Sequence, residues 1–274
     1  MDSPRIVVFG SIIQDLISYT KQFPRPGQTV HGTGFLSARG GKGANQAVAA
    51  ARLGAHVTLI AKVGDDVLGE ENINGLRECG VNVTAVEKSA SSSTGVACIT
   101  VDATGESTTV VSLGANVELD ESSAMRHVDD LDGADVVIAQ ATASAIAELP
   151  VENVESAKAV ALMIRAMGPR RVIVTLGSQG CVFTTDNGLA EQVQVSPVKV
   201  VDSTGAGDCF CGSLAYFLAV SRRRHLRSPC NDSDIRSAIT KAATIASLSV
   251  TRRGAQTSYW TRDELLQTNA DLFT

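Results

Sequence analysis

The sequence predicts an α/β fold with a mostly parallel central sheet. Three observations carry that expectation. Short apolar runs alternate with helix-forming runs along the chain, the order that builds a parallel sheet covered by helices. Several apolar runs are continuous and stop at Gly, as strands buried on both faces do. Aromatic residues are only 4% of the chain, while Ala, Val and Gly are abundant, which suits helices packed closely on a sheet.

Arg5–Gly10 (RIVVFG) reads as the first buried strand. The stretch after it holds Pro24, Pro26, Gly27, Gly32 and Gly34 and reads as a loop with short strands outside the main sheet. Ala44–Leu53 is strongly helix-forming, and Gly54 is its stop. His56–Val63 is the next strand and Gly69–Gly80 a helix. Thr94–Val101 and Ser107–Leu113 form a hairpin around Thr104-Gly105, whose alternation suits a one-sided small lid. Asp135–Gln140 is another buried strand. Val154–Met167 is a helix with Ala157, Val160, Ala161 and Ile164 facing inward. Arg171–Leu176 and Val193–Val201 are strands. Asp208–Val220 is a helix with Phe210, Leu214, Phe217 and Leu218 on one face, and Ile235–Val250 is the last long helix. There is no internal repeat and no low-complexity linker.

At 274 residues the chain has room for one large domain or two small ones. Hydrophobic residues at 44% supply enough apolar surface for a large core, which excludes disorder as the main state. The net charge of −5 gives no general attraction to nucleic acid or to an anionic membrane. The one basic run, Arg222-Arg223-Arg224-His225-Leu226-Arg227, reads as a solvated loop. The apolar stretch Ile6–Ile13 is broken by Gly10, is too short for a membrane span and lacks a cleavage pattern, so a cytoplasmic location is expected. Six scattered cysteines form no C-x-x-C pair and are expected reduced and buried.

Four segments carry chemistry. Asp202-Ser203-Thr204-Gly205-Ala206-Gly207-Asp208 sits where a strand feeds a long helix. Small residues let backbone N–H groups turn toward an anion, and the helix N-terminus adds positive potential. Asp208 there is a candidate general base for a hydroxyl proton, or a carboxylate that merely complements the helix dipole. Gly40-Gly41-Lys42-Gly43-Ala44-Asn45-Gln46 permits close backbone approach to a ligand, with Lys42 and Asn45 as donors to sugar hydroxyls; a tight turn before a helix is the other reading. It fits neither the Walker A pattern nor G-x-G-x-x-G. Thr175-Leu176-Gly177-Ser178-Gln179-Gly180 follows a buried strand, where nucleotides bind at sheet edges and where plain turns also occur. Gly10-Ser11-Ile12-Ile13-Gln14-Asp15 also ends a strand, and Asp15 either accepts ligand hydroxyls or caps a turn.

Together, G-S-I-x-x-D, G-G-K-G-A-N-Q, T-L-G-x-x-G and D-S-T-G-A-G-D, with Arg252-Arg253-Gly254-Ala255-Gln256-Thr257-Ser258, make a set that resembles the ribokinase (phosphofructokinase-B type) sugar kinase family. The resemblance implies a single three-layer domain over 1–274, with a mostly parallel central sheet and a small β lid drawn from about 16–39 and 94–113. It implies transfer of the ATP γ-phosphoryl group to the 5-hydroxyl of D-ribose. Asp208 would be the base, with Gly205, Ala206 and Gly207 as the anion hole. Ile13, Gln14, Asp15, Gly41, Lys42, Gly43, Ala44 and Asn45 would hold the sugar. Thr175, Leu176, Gly177, Ser178, Gln179 and Gly180 would line ATP, with Mg²⁺ accompanying it. Asp202, Thr204, Ser249, Arg252, Gly254 and Ser258 would hold K⁺. A homodimer through the lid strands, and the nucleus as a second location beside the cytoplasm, belong to the same expectation. Neither a nucleic-acid nor a membrane partner is expected.

The sequence departs from the family after Gln140. The family continues there with a sugar-binding Glu and two further strands, the second ending in an N-x-x-E motif that serves ATP and Mg²⁺. Here Gln140 runs directly into Ala141-Thr142-Ala143-Ser144-Ala145. Asn153-Val154-Glu155-Ser156 does not replace the motif, because its spacing is wrong and it falls at a helix start. Losing two strands leaves unpaired edges and exposed apolar helix faces. Two readings therefore stand beside an active ribose kinase: a catalytically impaired sugar-binding member of the family, and a kinase for another sugar or a nucleoside. A nicotinamide-dependent dehydrogenase is disfavoured by the missing G-x-G-x-x-G.

Overall fold

The structure, a computed structural model, describes residues 3–139, 149–224 and 230–274. In chain order its elements are β1 (Arg5–Phe9), β2 (Ile13–Thr20), β3 (Gly32–Gly40), α1 (Lys42–Arg52), β4 (His56–Gly64), α2 (Val67–Glu78), β5 (Val81–Asn82), β6 (Val86–Ser89), β7 (Gly95–Val101), β8 (Ser107–Ser112), α3 (Glu121–Met125), α4 (Val128–Asp132), β9 (Val136–Ala139), α5 (Val154–Ala166), β10 (Ile173–Thr175), β11 (Cys181–Thr184), β12 (Ala190–Val193), α6 (Ala206–Arg224), α7 (Asp232–Ser249) and α8 (Arg262–Thr268).

The parallel sheet runs β5-β4-β1-β9, and β6 also pairs with β4. β1 is central because it is apolar on both faces. Ile6 and Val8 point into the main core with Leu59 and the small residues of α1. Val7 joins Ile60 and Ala85 on the other face, under partly buried Leu131 of α4. The helices thus form the outer layers of a three-layer α/β sandwich. α1 lies close on the sheet because its inner face is Ala44, Ala47, Val48 and Ala50, all buried. A separate four-stranded lid runs β3-β2-β7-β8, antiparallel except for the parallel β2–β7 pair.

Capping explains the helix starts. The Asp66 carboxylate accepts from the Gly69 N–H at the start of α2, and Asn153 and Ser156 form a reciprocal capping box before α5. That box is the structural use of Asn153-Val154-Glu155-Ser156. The inner face of α5 is Ala157, Val160, Ala161 and Ile164, as the sequence pattern predicts.

Several expectations need correction. The strand expected over Val193–Val201 is instead β12, which ends at Val193; Thr185–Leu189 closes a hairpin from β11, a strand the periodicity missed because it is only four residues long. Arg222–Arg224 is the last turn of α6 and not a loop, since that helix runs past Val220. Cys98 is exposed, because it faces outward on lid strand β7. Gln140 and the residues to 148, with His225, Leu226 and Arg227, lie outside the described residues.

The departure after Gln140 has a structural counterpart. β9 pairs with β1 and β10 with β11, and among the described residues no ladder joins β9 to β10. The central sheet is therefore two sheets, one parallel and one a three-stranded antiparallel β10-β11-β12. Val137 of β9 is 47% exposed, and Leu162, Met163 and Met167 at α5 are exposed as well. These are the open edge and uncovered apolar faces that two missing strands leave behind.

Candidate active site

The start of α6 is the chemical centre. Gly205 takes a φ of 74°, which turns the chain into the helix. A Cβ there would lie 2.5 Å from the Tyr259 hydroxyl oxygen, and that hydroxyl donates to the Gly205 carbonyl. At Gly207 a Cβ would meet nothing within 4 Å, so the space beside it is open. Among the described residues, the N–H groups of Gly205, Gly207 and Asp208 have no acceptor. Free N–H groups facing open space at a helix N-terminus form an anion cradle.

Asp208 stands in the first turn of that helix. Asn45 Nδ2 donates to its Oδ2 at 3.0 Å, and Gln46 Nε2 to its Oδ1 at 2.9 Å. Gln256 Nε2 in turn donates to Asn45 Oδ1 at 3.0 Å, fixing which end of that amide faces Asp208. All three amides are buried. Burial pushes the Asp208 carboxyl above the usual carboxylate range, while Asn45, Gln46 and the Lys42 charge pull part of the way back. A half-buried carboxylate held at both oxygens, with lone pairs to spare, suits acceptance of a hydroxyl proton.

The second carboxylate is Asp15 on β2. Its side chain lies against Gly40, where a Cβ would come within 2.5 Å of Oδ2. Gly40 and Gly41 connect β3 to α1, so Asp15 and Asn45 flank one corner. Desolvation pushes the Asp15 carboxyl up to about 6. Gln14, on the opposite face of β2, is buried; it donates to Ser37 Oγ at 2.8 Å and accepts from Asn72 at 2.5 Å. Ile13 is buried and pairs with Gly40. Lys42 is exposed at the first turn of α1, and Gly43 and Ala44 are buried. Gly41, at a φ of 92°, leaves no room for a Cβ against the Ile13 N–H, so its close approach is to β2 backbone.

Asp202 ties the loop before α6 to the one after α7. Its Oδ1 accepts from the Thr204 N–H and its Oδ2 from the Gly254 N–H, at 2.9 and 2.8 Å. Burial raises its carboxyl, but these hydrogen bonds outweigh that and hold it low. The Arg252 N–H bonds to the Ser249 carbonyl, and the Ser249 and Ser258 hydroxyls donate to backbone carbonyls. This set has one carboxylate and many carbonyl and hydroxyl oxygens, a donor set suited to a weakly held monovalent cation. Among the described residues no group of three His, Cys, Asp or Glu could hold a metal.

Thr175 ends β10, and Gly177–Gln179 is a 3₁₀ turn closed by the Leu176 N–H on the Gly180 carbonyl. Phe210, two residues beyond Asp208, packs with Cys181, the register partner of Thr175. One hydrophobic cluster therefore links the antiparallel sheet that carries Thr175 to the first turns of α6. Ser178 and Gln179 open onto a cavity of about 580 Å³ shared with Asn153 and Glu155. The sequence motifs contained Gln46 and Gln256 without assigning them a role. For Gln46 the signal is a polar side chain in an Ala-rich, inward-facing helix, whereas the local pattern around Gln256 gives none.

Comparison with known proteins bears on the family and the fold. The model of the pfkB family carbohydrate kinases matches residues 3–162 and 134–262, two stretches that overlap around the sheet break. The ribokinase of Schizosaccharomyces pombe is 34% identical over 309 positions, covering 92% of this chain and 94% of the relative. The deoxyribokinase of Salmonella typhimurium is 32% identical over 304 positions, covering 93% and 95%. Both alignments are longer than the 274-residue chain and so open gaps in it. The solved structure of a Giardia lamblia ribokinase superposes with a TM-score of 0.85 at 27% identity over the whole of both chains.

Proposed function

The chain belongs to the pfkB family of carbohydrate kinases, and from that premise we propose that it transfers the γ-phosphoryl group of ATP to the 5-hydroxyl of D-ribose. The observation that carries this reading is Asp208, held by two amides beside three unpaired N–H groups. Asp208 takes the proton of the attacking hydroxyl as its oxygen bonds to the γ-phosphorus, and ADP leaves. The free N–H groups oppose negative charge on the transferring group. Asp15 and Asn45 hold sugar hydroxyls from the lid side, and Thr175–Gly180 lines the nucleotide. Mg²⁺ bound to ATP would supply charge neutralisation at the phosphates. K⁺ would be held by the Asp202 loop together with the 249–258 segment.

The lid exposes Phe35, Leu36, Val110 and Val111, an apolar surface that supports a homodimer through these strands. The Salmonella relative makes 2-deoxyribose the favoured second acceptor. The broken sheet favours a weak kinase or a sugar-binding protein as the other reading.

ATP turnover by the 274-residue chain, with Mg²⁺, K⁺ and either D-ribose or 2-deoxyribose, tests the proposal. Ribose-dependent turnover that disappears in Asp208→Ala supports it. Turnover with 2-deoxyribose alone moves the acceptor. A folded chain that binds sugar without turnover is the impaired member.

A further inference from the structure

A cavity of about 810 Å³ opens near the C-terminal end of α6. Asp208 and Arg224 lie sixteen residues apart on that helix, or roughly 24 Å, so this cavity is separate from the catalytic loop. Its aromatic wall is Tyr216, Phe217 and Phe273, with ring centroids 5.2 to 6.4 Å apart. Four cations line it: Arg223, which pairs with Asp135, and Arg224, Lys241 and Arg262. Lys241 Nζ sits 5.5 Å from the Phe217 ring, and the Arg262 guanidinium 5.0 Å from Phe273. Arg262 also donates to the Tyr216 hydroxyl at 2.7 Å.

Among the described residues Arg224, Lys241 and Arg262 lack counter-ions: no carboxylate lies within ion-pair distance of any of them. The two acids at the cavity are otherwise engaged: Asp135 pairs with Arg223, and Asp234 accepts from the Asn231 N–H in the α7 cap. Burial and the Arg224 charge both push the Lys241 ammonium below its usual range, so the repulsion is felt. The helix dipole accounts for Arg224, at the C-terminus of α6, but not for the others. Lys241 is in the middle of α7, and Arg262 opens α8, where the dipole disfavours a cation. Like charges gathered in a concave, aromatic-walled space focus a positive potential that an anion relieves. The Ser221 and Ser237 hydroxyls at the rim add neutral donors.

We propose that this cavity is a second ligand site, for a phosphorylated small molecule whose phosphoryl oxygens bridge Arg224, Lys241 and Arg262. Two sources supply that chemistry, a nucleotide or a sugar phosphate. The test is calorimetric titration of the full chain with tripolyphosphate, ADP and ribose 5-phosphate at low salt. Gly207→Val fills the open space of the catalytic cradle and so separates the two sites. Tripolyphosphate is expected to bind Gly207→Val, and to bind Gly207→Val that also carries Arg224→Glu/Lys241→Glu at least tenfold more weakly. The thermal midpoint of the charge-reversed variant should not fall, because repulsion is relieved. Arg224→Gln/Lys241→Gln, with less change to the surface, should give a smaller loss in the same direction. The tighter of ADP and ribose 5-phosphate in Gly207→Val identifies the source. Binding to Gly207→Val that survives charge reversal, or that disappears in Gly207→Val itself, overturns the proposal, as does failure of both organic phosphates to bind Gly207→Val. None of these readouts depends on turnover, so the proposal stands or falls apart from the kinase reading.

Discussion

Asp15→Asn is expected to stabilise the protein while weakening its hold on the sugar. Burial raises the folded carboxyl from its ordinary 3.8 to about 6. The native state therefore binds this proton more tightly than the unfolded state, and ionisation costs stability. Below pH 3.8 both states are protonated and the cost is absent. It grows as pH rises toward 6 and is complete above it. A two-unit shift corresponds to about 3 kcal/mol, and because the group is only part-buried, screening reduces this to roughly 1–2 kcal/mol. Asn fits the same space beside Gly40 and carries no charge, so it escapes that cost. Urea unfolding of both proteins between pH 4 and 8 measures the effect. The Asn variant should be more stable by roughly 1–2 kcal/mol at pH 8, with the gap closing toward pH 4. Sugar affinity should fall about ten- to a hundredfold, the worth of hydrogen bonds to a charged acceptor. A less stable Asn variant at pH 8, or a gap that does not vary with pH, refutes the reasoning.

Asp208→Asn keeps the shape but cannot take a proton, so kcat should fall about 10²- to 10⁴-fold with KM little changed; a kcat loss under tenfold would remove Asp208 as the base. Gln256→Leu leaves the Asn45 amide oxygen buried without a donor, which costs about 1–3 kcal/mol in stability. It should also lower kcat and shift the acid limb of its pH profile, since Asn45 can then turn its oxygen toward Asp208; an unshifted profile would reduce Gln256 to a packing role. Gly205→Ala places a methyl at a φ of 74° against the Tyr259 hydroxyl, and a thermal melt should register a loss of about 1–3 kcal/mol. The removal of K⁺ from a turnover assay should lower activity if the Asp202 loop holds the ion, and Asp202→Asn should abolish that dependence.

Most of the fold and much of the candidate site were legible, for a physical reason. Both faces of β1 are apolar and α1 and α5 carry a clean inward stripe, so their place in the sandwich follows from local pattern. Gly40–Asn45 and Asp202–Asp208 carry a dense set of small and polar residues that few structural tasks require. What stayed hidden depends on contacts distant in sequence. Gln256 and Asn45 are 211 residues apart, and nothing local shows that one orients the other. β11 is too short to display a period. The reach of α6 to Arg224 was obscured by a run of charge that looks solvated, although Arg222 and Arg223 are anchored on Asp135.

The broken sheet poses the question of what sets the nucleotide half of the site against the sugar half. Asp15 and Asn45 belong to the N-terminal side, and Thr175–Gly180 to the three-stranded sheet beyond the break. In an unbroken parallel sheet the hydrogen-bond ladder would fix that relation. Here no described ladder crosses it, and the relation is carried by α6 and α7. Leu214, Leu218 and Ala246 pack against both the main core and the core under β11. Phe210 joins α6 to β11, while Tyr216 and Ala219 join it to the main core. Side-chain packing of this kind resists separation but permits small rotations that a ladder would forbid. The retained residues on each side can therefore keep their local geometry while their mutual distance varies, and phosphoryl transfer depends steeply on that distance. The consequence is asymmetric: sugar binding, built on one side of the break, should survive better than turnover, which needs both.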